Sequence, residues 1–110
     1  MADRKNLPHH IDKNAFHELS QVLSDATNED EIKAFLECLL TPSELYEITT
    51  RWALVRLIDQ GMSQRKIAEK LGLSLCKITR GSKELKKPNS GFRIFLERFN
   101  RLKDPPETTE

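Results

Sequence analysis

From Ser63 to Lys87 the chain reads SQRKIAEKLGLSLCKITRGSKELKK, and this stretch decides the fold. Ile67, Ala68, Leu71, Leu73 and Ile78 are spaced to meet on one inner side of two short amphipathic helices, Gln64 to Leu71 and Ser74 to Leu85. Gly72 stands between them, after a lysine-bearing last turn. A glycine there takes the left-handed conformation that stops a helix, and a short turn then sets the next helix roughly at right angles. Ala68 suits such a crossing, because a methyl group lets the two axes approach. The spacing predicts a helix-turn-helix over about residues 63–85.

The second helix is the expected reader. Its outward side chains include Leu75, Cys76, Lys77, Thr79 and Arg80, with Gln64 and Arg65 close by at the start of the first helix. An exposed helix N-terminus, bases for phosphates and an arginine able to fork onto a guanine edge suit a DNA major groove. The plainer alternative is a helical hairpin with a solvated charged face. Gly81 departs from the pattern, because a large apolar residue is expected to turn inward one turn beyond Ile78. Glycine inside a helix costs about 1 kcal/mol relative to alanine. Two readings stay open: a neighbouring element comes close, or the missing side chain leaves a slot for something else.

Working outward, a chain of 110 residues is one domain by length, and with 37% apolar and 32% charged residues it buries only a modest core by itself. A core shared with a second copy is therefore expected. The net charge of +1 is unevenly spread: residues 1–50 carry 4 basic and 10 acidic side chains, residues 51–87 carry 10 and 3, and residues 88–110 carry 4 and 4. The basic centre coincides with the helix pair, as a phosphate-binding face requires. Cys38 and Cys76 have neither metal-ligand spacing nor a disulfide framework, and no apolar run is long enough for a membrane span or an export signal. The expected location is the cytoplasm, with no metal and no membrane partner.

Residues 1–11 read as a flexible arm. From Asp12 a helix follows with Phe16, Leu19, Val22 and Leu23 in one stripe. Asn28 and Glu31 form a capping-box pattern opening a second helix with Ile32, Phe35, Leu36 and Leu39 on one face. Thr41, Pro42 and Glu44 open a third, longer helix running to about Gln60, its stripe being Leu45, Ile48, Trp52, Val55 and Ile58. Beyond Pro88 and Gly91, a last helix carries Phe92, Phe95, Leu96, Phe99 and Leu102, and residues 104–110 are a polar tail. The class is all-α with about six helices, residues 12–103 forming the domain. Short helices depend on burying an apolar face against neighbours, and the first, second and last have few partners within the chain. They are expected to dimerise.

Three separated blocks carry a resemblance: LTPSE at 40–44 with Arg51, MSQRKIAEKLG at 62–72, and ITRGS at 78–82. In order and spacing they resemble the Trp repressor family over roughly residues 36–87. The resemblance implies an intertwined homodimer that places two reading helices about one DNA turn apart on a palindromic operator, a geometry of which the Trp repressor is itself a standing example. It implies L-tryptophan as corepressor ligand and no other cofactor. Arg51 and Arg80 would sandwich the indole, Gly81 would give it room, Thr41 with Arg80 would hold the carboxylate, and the carbonyls of Cys38 and Leu40 would receive the ammonium. On residue type alone, Arg51 and Arg80 also read as ordinary surface cations.

By the same matching, Arg56, Gln64 and Thr79 are phosphate contacts, Arg65 is the direct reader, and Leu75 and Cys76 lie nearest the base edges. The chain departs from the family where Glu84 replaces a common serine one turn beyond Arg80, and where Lys77 replaces a small polar residue. Glu84 has two readings: it meets the ligand's ammonium, or it captures Arg80. The link at Gly61 and Met62 is also one residue shorter.

Nothing points to catalysis. Glu44 and Glu47 sit at a helix start where acids offset the macrodipole, and Ser63, Ser74 and Ser82 are explained by helix starts or solvated polar surface, with no base within sequence reach. Beside the tryptophan-responsive repressor stand two rivals: a relative that has lost or changed its ligand, and an interaction module whose basic helical face docks an acidic partner.

Overall fold

A computed structural model describes residues 10–103. The expected arm falls outside them except for its last two positions, and the polar tail falls wholly outside. The described residues form six α-helices and no strand: α1 (Lys13–Asp25), α2 (Glu29–Leu39), α3 (Pro42–Asp59), α4 (Gln64–Leu71), α5 (Leu75–Lys86) and α6 (Gly91–Lys103). The all-α expectation holds.

Local chemistry sets most helix ends. The Asn28 side chain accepts hydrogen bonds from the Asp30 and Glu31 amides at 2.8 and 3.2 Å, Ser63 Oγ accepts from the Lys66 amide at 3.2 Å, and Ser74 Oγ from the Lys77 amide at 3.3 Å. Each satisfies donors that a helix start leaves without a partner. Gly72 adopts φ +67°, and its amide and that of Leu73 both donate to the Ala68 carbonyl, which stops α4 as its sequence predicts. Only three residues, Gly72, Leu73 and Ser74, separate α4 from α5.

Contacts divide the chain into two units, one up to Pro42 and one from Ser43. The first holds α1 and α2. No residue of either helix is buried, and Phe16 and Val22 of the predicted α1 stripe are 59% and 56% exposed.

In the second unit, the C-terminal half of α3 carries apolar side chains into two clusters. Leu54 and Leu57 meet Ile67 of α4 and Ile78 of α5, with Ala68, Leu71 and Leu73 packed against them. Val55 meets Leu85 of α5 and Leu96 of α6, with Trp52 and Phe92 alongside. Burying Ile67 and Ile78 completely stabilises the helix pair by about 1.5–3 kcal/mol each. All five residues expected on the inner side of α4 and α5 are in the first cluster.

The α3 stripe needs correction. Leu54 and Leu57, outside the predicted stripe, are buried, whereas Ile48 within it is exposed. From Trp52 to Ile58 only Arg56 interrupts the apolar run, so periodicity does not single out one face. Neighbours do: α4 and α5 take Leu54 and Leu57, and α6 takes Val55. On α6, Leu96 is buried, but Phe95 and Leu102 of the predicted stripe are exposed. An ion pair between Arg93 and Asp59 at 2.8 Å ties α6 to the end of α3.

Candidate ligand cleft and nucleic-acid interface

Two faces at helical spacing oppose each other in the second unit. Tyr46, Glu47, Thr50, Arg51 and Leu54 on α3 recur every three or four residues, as do Lys77, Arg80, Gly81 and Glu84 on α5. With Leu73 and Phe92 they line a cleft of about 460 Å³. That volume lies within the range of small-molecule sites, roughly 300–1,000 Å³.

The cleft brings together four of the residues expected to hold a ligand: Arg51, Arg80, Gly81 and Glu84. Cys38, Leu40 and Thr41 belong to the first unit, at the end of α2 and in the connection before α3, and are not among the lining residues. Both acids of the cleft already have cationic partners, since Lys87 Nζ donates to Glu84 Oε2 at 2.9 Å and Lys77 Nζ lies 3.9 Å from Glu47 Oε2. Glu84 thus pairs with Lys87, one turn on, rather than with Arg80. Among the described residues neither Arg51 nor Arg80 has an ion-pair partner. Two uncommitted guanidinium groups in a partly apolar cleft suit a planar anionic ligand, because guanidinium planes stack on aromatic faces and fork onto carboxylates.

Gly81 is buried, and a Cβ there would stand 3.0 Å from Leu54 Cδ2 and 3.9 Å from Ile58 Cδ1. The close neighbour is a side chain, not another backbone. Gly81 also lines the cleft, so close packing and open space both depend on the missing side chain.

The sequence pattern of the family described as Trp repressor protein matches residues 14–100. The chain belongs to the Trp repressor family. A Trp operon repressor homolog of Xylella fastidiosa is 40% identical over 76 residues, covering 68% of this chain and 83% of that protein. One from Vibrio cholerae is 33% identical over 102 residues, covering 89% and 97%. The structure of a TrpR-like protein from Eubacterium eligens superposes with a TM-score of 0.72 at 26% identity, covering 79% of this chain and 90% of that one.

In this Trp repressor family member, most residues expected at DNA lie on α4 and α5. Gln64 and Arg65 open α4, and Leu75, Cys76 and Lys77 form the first turn of α5. All five are exposed, and the Thr79 hydroxyl donates to Gln64 Oε1 at 3.3 Å across the two helices. Arg56 stands apart from them. Its guanidinium lies 4.7 Å over the Phe99 ring, its Nε is buried with no hydrogen-bond partner among the described residues, and Phe99 in turn meets Trp52 edge-on at 6.0 Å. Stacking on α6 is the contact the structure gives it.

The sequence reading missed Tyr46, Glu47, Thr50, Leu54, Leu73 and Phe92 as cleft residues. Spacing from Arg51 was a usable signal for the α3 members, because positions 47 and 54 share its face. Nothing local points to Phe92, which arrives from α6. No described helix is long and apolar enough to cross a membrane.

Proposed function

We propose that this protein is a sequence-specific DNA-binding transcriptional repressor that uses L-tryptophan as corepressor and binds palindromic operators as a homodimer in the cytoplasm. The observation that carries the proposal is the cleft between α3 and α5, where Arg51 and Arg80 face a cavity beside Gly81 and neither has an ion-pair partner among the described residues. An indole seated between the guanidinium groups acts as a wedge against α5, so its presence fixes the pose of the helix whose first turn meets the bases. Arg80 holds the carboxylate, and the family resemblance assigns Thr41 and the carbonyls of Cys38 and Leu40 to the polar end of the ligand.

On DNA, α4 and α5 act as the helix-turn-helix. Arg65 forks onto a base edge, Leu75 and Cys76 make apolar contacts in the groove, and Gln64, Thr79, Lys77 and Arg56 contact phosphates. The uncovered apolar faces of α1 and α2, with Phe16 and Val22 more than half exposed, support the homodimer, because short helices need such a face covered. The chemistry is binding, without a catalytic step.

The test is calorimetry against L-tryptophan, combined with selection from random duplexes in the presence and absence of the amino acid and with sedimentation equilibrium. The proposal requires tryptophan binding, a palindromic selected site only when tryptophan is present, and a dimer. Selection without ligand dependence would favour a relative with lost or changed ligand, a reading that Glu84 at the cleft motivates. No duplex binding at low salt would leave a helical interaction module.

A further inference from the structure

We infer that Glu47 competes with DNA phosphate for Lys77, so that this ion pair holds down the affinity of the ligand-free protein for DNA. The inference rests on the DNA-binding reading of α4 and α5 proposed above.

Lys77 belongs to the first turn of α5, where its own amide is capped by Ser74 Oγ. A cation is out of place at that end of a helix, since the first turn carries the positive end of the macrodipole and favours anions. The pair of features, an N-terminal turn and a lysine, makes a good seat for a phosphate. In this protein an anion from α3 already pairs with that lysine: Glu47 Oε2 lies 3.9 Å from Lys77 Nζ. The glutamate carboxylate supplies the kind of charge that a DNA phosphate would bring, and Lys77 cannot serve both partners at full strength.

The pair spans the two helices that form the ligand cleft, and both residues line it. The side chains are 57% and 51% exposed, so the contact is easily exchanged rather than locked. Exposed pairs of this kind shift equilibria by small factors, which suits a device that tunes basal affinity and does not abolish binding.

The experiment measures affinity for duplex DNA without ligand, across a range of salt, for the wild type, Glu47→Gln, Lys77→Gln and the double variant. Glu69→Gln on α4 calibrates the bare loss of a negative charge. Glu47→Gln should bind about two- to fivefold tighter, the range expected for releasing an exposed ion pair. Its log–log salt slope should steepen by about one, as one further phosphate contact requires. In the Lys77→Gln background the same change should give neither effect beyond that of Glu69→Gln. An equal gain in both backgrounds, or no gain in either, overturns the competition while leaving the DNA-binding reading intact. A wild type that binds no duplex with or without L-tryptophan overturns that reading first, and the inference with it.

Discussion

Gly81 of α5 and Leu54 of α3 stand so close that a Cβ at position 81 would lie 3.0 Å from Leu54 Cδ2 and 3.3 Å from Leu54 Cγ. The Leu54 side chain fills the space that an ordinary residue at 81 would claim, and both residues line the cleft. The glycine therefore sets the separation of the two helices between which the ligand is proposed to lie.

Gly81→Ala should lower stability by about 1 kcal/mol, because overpacking of about 1–3 kcal/mol outweighs a helix-propensity gain of about 1 kcal/mol. In a Leu54→Ala background the obstruction is gone, and the same change should instead stabilise by about 1 kcal/mol, the helix-propensity gain alone. Denaturant unfolding of the four proteins measures the coupling, and equal effects in both backgrounds would disconnect Gly81 from Leu54.

Gly81→Met extends the test to the ligand. The longer side chain should both strain the Leu54 contact and enter the cleft, so the folded fraction should bind no tryptophan. Thermal unfolding beside calorimetry decides the matter. A folded variant with undiminished affinity removes Gly81 from the ligand site.

Glu84→Ser should change the preference for L-tryptophan over indole propionate by less than about twofold, since the Glu84 carboxylate already has Lys87 Nζ as a hydrogen-bonded partner at 2.9 Å and any gain from the ligand's ammonium is offset by the loss of that pair. Lys87→Gln should raise that preference by freeing the carboxylate for the ligand's ammonium. Calorimetry with both ligands tests this. A large loss of preference in Glu84→Ser alone would show that the ammonium displaces Lys87 without help.

Arg65→Ala should cost about 1–3 kcal/mol at the specific site, the range for losing a bidentate arginine contact to guanine, and much less on random duplex. Competition binding separates the two. Equal losses on both would make Arg65 a phosphate contact.

Gly72→Ala should destabilise the second unit by about 1–2 kcal/mol, because φ is +67° and an L side chain in the left-handed region is strained even where space is open. Gly72→Asn should lose less, since asparagine tolerates that region. Urea midpoints in the order glycine, asparagine, alanine are expected, and any other order contradicts a conformational role.

Whatever depends on neighbours along the chain was legible in the sequence. The caps at Asn28, Ser63 and Ser74 and the left-handed Gly72 act over two to five residues, and the α4–α5 apolar set follows from helical period and a short turn. Arg51, Arg80 and Gly81 could be placed together because motif blocks carry them in fixed register. Tertiary structure alone decided which side of α3 is buried, because an almost continuous apolar run from Trp52 to Ile58 has no polar face to orient it. That rotation turns Leu54 toward Gly81 and Glu47 toward Lys77, and it leaves Arg56 stacked on Phe99, a residue 43 positions away. Such contacts are set by how whole helices pack, and no local spacing encodes them.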